Sequence, residues 1–172
     1  MVTKATIAKR DRIFVEKGQI DAYREMAGTT GTRWKKAKGA DLPPFEDLKD
    51  VFLMATCLGL RAGRPTPLKN RQELARIGYF KEHADLAVLR AIAIAETRGV
   101  EVLADENKVF KIAEEYANTG FTELRRRVLG PGRPLVDLTS FLLEEYEHLF
   151  PTSQSQENQF EFIDNQTEHH EP

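Results

Sequence analysis

The chain has only one cysteine among its 172 residues, so no disulfide can form within it. That residue, Cys57, lies in the apolar run from Val51 to Leu58. A thiol there is expected to behave as a small buried hydrophobe. With no histidine nearby and no cationic neighbours, it does not read as a nucleophile. Long hydrophobic runs are also missing: nothing approaches the roughly 18 consecutive apolar residues of a membrane span. Residues 1–20 alternate charged and apolar groups, where a secretory signal needs an uninterrupted apolar core. The expectation is a cytoplasmic protein with no membrane segment. Histidine is scarce, with four in all; His83 and His148 are isolated, and His169-His170 lack cysteine or spaced carboxylate partners, so no metal site is expected. Gly28, Gly31 and Lys35 do not make a phosphate-cradling loop, which needs Gly-Lys followed by Ser or Thr directly ahead of a helix. No cofactor and no nucleotide hydrolysis are expected.

What the chain does contain is charge, unevenly placed. Residues 1–76 carry 16 Lys/Arg against 9 Asp/Glu, a net +7, while the remainder carries 9 against 18, a net −9. A basic half can face nucleic acid while an acidic half repels it or meets a basic partner. Alternatively, the two halves fold against each other and partly cancel.

A chain of this length fits one core. The apolar spacing predicts a mainly α fold: a single compact helical domain over residues 1–150, with a basic loop at 27–44 and a disordered tail at 151–172. Ile7 to Met26 is compatible with two short helices or with a strand and a helix. After Pro43-Pro44, a core helix runs to about Gly63 through Leu48, Val51, Phe52, Ala55, Leu58 and Gly59. Ala84 to Arg98 is apolar almost all round and is expected to be the central, most buried helix, with Gly99 at its C-cap. Val100 to Leu103 reads as briefly extended. Asp105 then caps a helix closing at Asn118-Thr119-Gly120, and a short helix follows from Thr122 to Leu129. Pro134 opens the last helix, with Leu135, Leu138, Phe141, Leu142, Tyr146 and Leu149 on its inner face. The polar remainder holds a candidate docking motif in Phe160, Phe162 and Ile163.

Two readings of chemistry follow. In the stretch Arg33-Trp34-Lys35-Lys36-Ala37-Lys38, four cations flank the only tryptophan. Cations neutralise phosphates and release counterions, and an exposed indole stacks on a base, so this loop is a candidate nucleic-acid contact. The plainer reading is a solvated loop with Trp34 tucked into the core. Arg61 and Arg64, with Lys69 and Arg71 behind them, extend the same candidate surface, since arginine on a rigid turn suits bidentate phosphate contact. Arg125-Arg126-Arg127 reads as a wet helix face. Glu101, Asp105, Glu106 and Lys108 resemble the carboxylate and lysine set of a metal-dependent nicking enzyme. Asp105 and Glu106, however, sit where a helix cap and a first-turn acid are expected anyway, and the chain is read as having no catalytic residues.

The run from Leu42 through Ala55, Gly59 to Leu68, Leu89 to Glu96, Glu101-Val102-Leu103 and Ile112 to Gly120 resembles the dnd system-associated protein 4 family. The family is also described as DNA phosphorothioation-associated protein 4, and the likeness covers about residues 40–130. Its systems replace a non-bridging phosphate oxygen of bacterial DNA with sulfur. The resemblance implies a part in phosphorothioate-linked defence, beside the restriction machinery, and carries no active-site motif with it. An accessory DNA-binding or scaffolding subunit is therefore the expected function, with DNA and other proteins of the same system as partners. The alternative is an adaptor whose acidic half and tail dock a larger ATPase or nuclease. Pro65 and Pro67 beside Arg64 are the place where softer, less hydrated sulfur would be met.

Overall fold

The structure, a computed structural model, describes residues 10–28, 42–130 and 132–151. The strand β1 (Arg12–Glu16) alternates buried Ile13 and Val15 with half-buried neighbours, the period-two pattern of a one-sided strand. It pairs antiparallel with β2 (Arg71–Arg76), so the N-terminal segment is a strand followed by a short helix, α1 (Ile20–Met26). Sequence spacing does not mark β2. The register explains why: Ile13 faces Ala75 and Phe14 faces Glu73, leaving Leu74 as an extra residue. The bulge lets Leu74 and Ala75 both turn inward, which breaks the alternation that reveals a strand.

Two long helices form the centre: α2 (Leu48–Arg61) and α4 (Glu106–Val128). Asp47 precedes α2 with extended backbone, and its carbonyl accepts from the amides of Asp50 and Val51. Asp105 caps α4, its carboxylate accepting from the amides of Asn107 at 3.0 Å and Lys108 at 3.3 Å. The helices cross on small residues. A β-carbon on Gly59 would lie 1.9 Å from the Tyr116 carbonyl oxygen, and one on Gly120 would lie 1.9 Å from that of Ala55. Gly120 therefore does not close a helix, as its place in Asn118-Thr119-Gly120 implied. It permits backbone-to-backbone approach, and α4 continues through it because Phe121, Leu124 and Val128 bury beyond.

The helix expected at the centre, α3 (Asp85–Thr97), lies at the side instead, burying Leu86, Leu89, Ile92 and Ala93 while Val88 remains 40% exposed. Its outer face carries Ala87, Ala91 and Ala95, which cost little in water, whereas α4 carries large apolar groups over 23 residues. The left-handed residue after α3 is Arg98, at φ 55°, one position before Gly99, and Val100–Ala104 is a 3₁₀ turn rather than extended chain. The last helix, α5 (Pro134–Leu149), buries only Pro134, Leu138 and Phe141. Leu142, Tyr146 and Leu149, expected inside, face out. Cys57 is exposed, because Phe52, Ala55, Thr56 and Gly59 take the buried face of α2; partial desolvation still pushes its thiol pKa up.

Behind the sheet, the carboxylate of Glu114 on α4 is buried and accepts from the Phe14 amide at 2.6 Å, from Arg71 at 3.1 Å and from Arg10. It thereby gives a backbone donor on β1 an acceptor outside the sheet.

Candidate nucleic-acid interface

Between α2 and β2, residues 62–70 form an exposed strap, with Leu68 alone half-buried. Pro65 and Pro67 keep it from helix, and α4 holds it down. The Thr66 amide donates to the Glu115 carbonyl at 3.0 Å, and Asn118 Nδ2 donates to the Thr66 carbonyl at 3.1 Å. The Thr119 hydroxyl donates to the Arg64 carbonyl at 2.8 Å and lies 2.8 Å from the Thr66 hydroxyl. Gln19 in turn orients Asn118, its Nε2 donating to Asn118 Oδ1 at 3.0 Å. At the far end, Glu16 accepts from the amides of Lys69 at 2.8 Å and Asn70 at 3.1 Å. Those bonds, the Lys69 amide first, hold the Glu16 carboxyl below its usual pKa.

The strap thus has an anchored backbone and free-standing basic side chains. Arg64 is exposed, and among the described residues its guanidinium has no ion pair. Arg61, the last residue of α2, opens with it onto a cleft of about 440 Å³ that Thr119, Thr122 and Arg127 also line. Arg61 is not free: it pairs with Glu145 of α5. Arg127 pairs with Glu123 and Glu144, both oxygens 2.7–2.8 Å away, and lies over the Phe141 ring at 4.8 Å, so only Arg125 and Arg126 of the arginine triplet form an exposed face. Side-chain bonds from Arg126 and Arg127 depress the Glu123 pKa to about 2. Lys69 stands at the other end of the strap, beside the sheet and outside the cleft. The structure therefore brings together Arg61 and Arg64, and strings Lys69 along the same anchored segment. Arg33, Trp34, Lys35, Lys36 and Lys38 lie outside the described residues, as does the Phe160 to Ile163 motif.

The family described as DNA sulphur modification system-associated protein 4 matches residues 34–163 of this sequence. The chain belongs to this family. It is thus associated with a DNA sulphur modification system. The match reaches further than the resemblance read from residues 40–130: it takes in Trp34 to Lys38 on one side and Phe160 to Ile163 on the other. It spans the whole strap and the α4 residues that hold it. Comparison with proteins of curated function and with solved structures finds no match.

Sequence reasoning missed the anchors Glu16, Gln19, Asn118 and Thr119. In sequence, Asn118 and Thr119 look like a helix end because polar residues beside glycine normally are one. Only their partners, more than 50 residues away in the strap, show otherwise. Two of the carboxylates that sequence groups with Lys108 have other partners in this fold. Asp105 is the α4 cap, and Glu106 lies 3.9 Å from Arg90. Among the described residues, no group of three or more His, Cys, Asp or Glu is placed to hold a metal ion. No helix among them is long and apolar enough to cross a membrane.

Proposed function

We propose that the chain is an accessory DNA-contacting subunit of a DNA sulphur modification system, acting without catalysis of its own. The observation that carries this is the anchored strap: Arg64, without an ion pair among the described residues, between Arg61 and Lys69, on a backbone tied to α4 and β1. Such a segment meets backbone phosphate with little ordering cost, because its main chain is already held. Arginine supplies a planar fork for two phosphate oxygens, and Lys69 a point charge. The segment Arg33 to Lys38, within or adjoining the family match, would add four cations and an indole to the same task.

The test is fluorescence anisotropy on a duplex with and without phosphorothioate linkages, across a salt series. Binding should weaken steeply with salt, and Arg64→Ala and Lys69→Ala should each lower the log–log slope by about one unit, with an Ala quadruple at Arg33, Lys35, Lys36 and Lys38 lowering it further. An unchanged slope in Arg64→Ala removes the strap from the interface. Absence of binding at low salt sinks DNA contact by this chain alone.

A further inference from the structure

The last helix has more apolar surface than its neighbours cover. Pro134, Leu138 and Phe141 face α4, while Leu142, Leu143, Tyr146, Leu149 and Phe150 are 43%, 57%, 60%, 68% and 61% exposed. These five recur at positions i, i+1, i+4, i+7 and i+8, one continuous helical stripe, and Val136, 41% exposed, extends it. From Val136 to Phe150 the stripe runs about 21 Å at the helical rise. Tyr146 and Phe150 meet at its outer end, their ring centroids 5.1 Å apart and tilted at 39°, as a pair of aromatic anchors. Contiguous exposed apolar surface of this kind marks an interaction site rather than scattered surface residues.

Charge selects the occupant. From Pro134 to Pro172 the sequence has nine Asp/Glu and no Lys or Arg. Of these, Asp137, Glu144, Glu145 and Glu147 lie on α5 itself, where Arg127 and Arg61 pair with Glu144 and Glu145 and Glu147 stands exposed. A second copy docking α5 on α5 would oppose carboxylates to carboxylates. The chain's own residues 152–172 bring five more acids and no Lys or Arg, so they too are repelled. An anionic membrane surface is disfavoured for the same reason. We propose that the outer face of α5 docks a basic amphipathic helix of a partner protein, whose apolar stripe covers Leu143, Tyr146 and Phe150 and whose Lys/Arg flanks meet Glu147. This site is the outer face of α5, and it does not depend on the DNA-contacting reading.

The experiment uses the full chain and a fluorescein-labelled 14-residue amphipathic peptide of Leu and Lys, with a Leu/Glu counterpart as control, read by anisotropy. The Leu/Lys peptide should bind one to one and about tenfold or more tighter than the Leu/Glu peptide. Leu143→Glu and Phe150→Glu should each weaken it about tenfold or more, although both add negative charge. These positions are exposed, so unchanged melting curves will separate lost docking from lost folding. Glu147→Lys should narrow the preference between the two peptides. Binding that ignores Leu143→Glu overturns the proposal. So does a concentration-dependent dimer in sedimentation that Leu143→Glu dissolves, which would put a second copy on the face. A Phe160→Ser, Phe162→Ser, Ile163→Ser variant that binds the peptide about tenfold tighter would put the chain's own tail there instead, and also overturns it.

Discussion

Glu114 is 2% exposed and yet carries an ionisable group, and three donors converge on it: Arg10, Arg71 and the Phe14 amide. The guanidinium carbons of Arg10 and Arg71 lie 5.0 and 4.6 Å from the Phe14 ring centroid, so the cations are held by an aromatic face as well as by the carboxylate. Burial is the largest influence and raises the Glu114 pKa to about 7, against the pull of Arg10, the Phe14 amide and Arg71. A carboxyl whose folded pKa lies above its unfolded value near 4.5 binds its proton more tightly in the folded state. Its contribution to stability is therefore fully present below about pH 4.5 and is lost as pH rises through about 7. Glu114→Gln keeps an acceptor for the Phe14 amide and removes the titration. Urea unfolding at pH 5 and pH 8 should show a fall in wild-type stability that the Gln variant lacks; parallel curves would contradict it. Glu114→Ala leaves Arg10, only 13% exposed, without its counter-ion, and should cost about 3–5 kcal/mol at neutral pH.

Among the elements, the crossing of α2 on α4 is the tightest contact. Ala55 and Gly59 meet Tyr116 and Gly120 with no room for a methyl group, and Thr56 satisfies its buried hydroxyl on the Phe52 carbonyl at 2.8 Å. Beside the crossing, Tyr23 of α1 stacks on Phe121 at 3.9 Å, and Phe52 meets Phe80 edge-on. A methyl at the crossing must push two backbones apart, which exceeds ordinary overpacking. Gly120→Ala is expected to cost about 3 kcal/mol or more, seen as a lower denaturation midpoint. Gly18→Ala, with nothing within 4 Å of the added carbon, should change the midpoint little. Equal effects at the two positions would mean that the helices do not meet in this way.

Across the molecule, the two oppositely charged halves fold against each other, and their charges cancel in part. Arg61 of the basic half pairs with Glu145, Arg10 and Arg71 pair with Glu114, and Lys49 lies 3.6 Å from Asp85. The acids of α5 thus sit beside the cations that the strap presents, and lower the local positive potential. Removing one should strengthen the proposed DNA contact. Glu145→Gln frees Arg61 and is expected to raise duplex affinity about threefold at low salt, an advantage that fades as salt screens it. Weaker binding by this variant would mean that Arg61 needs Glu145 to hold it in place.

By itself the sequence determined the helical class, the cap at Asp105, the proline entry of α5 and the family, because each rests on local pattern: apolar spacing, capping chemistry and order of residues. It also marked Arg61, Arg64 and Lys69 as a basic segment broken by proline. Only the tertiary structure decided which helix is central, since α3 and α4 are both apolar enough and the choice lies in which one α2 can approach at Gly59 and Gly120. It also decided that Asn118 and Thr119 hold the strap rather than end a helix, that a bulge hides β2, and that Leu142, Tyr146 and Leu149 of α5 face outward. Each of these depends on a partner far away in the chain, and such a partner leaves no mark on the local spacing of residues.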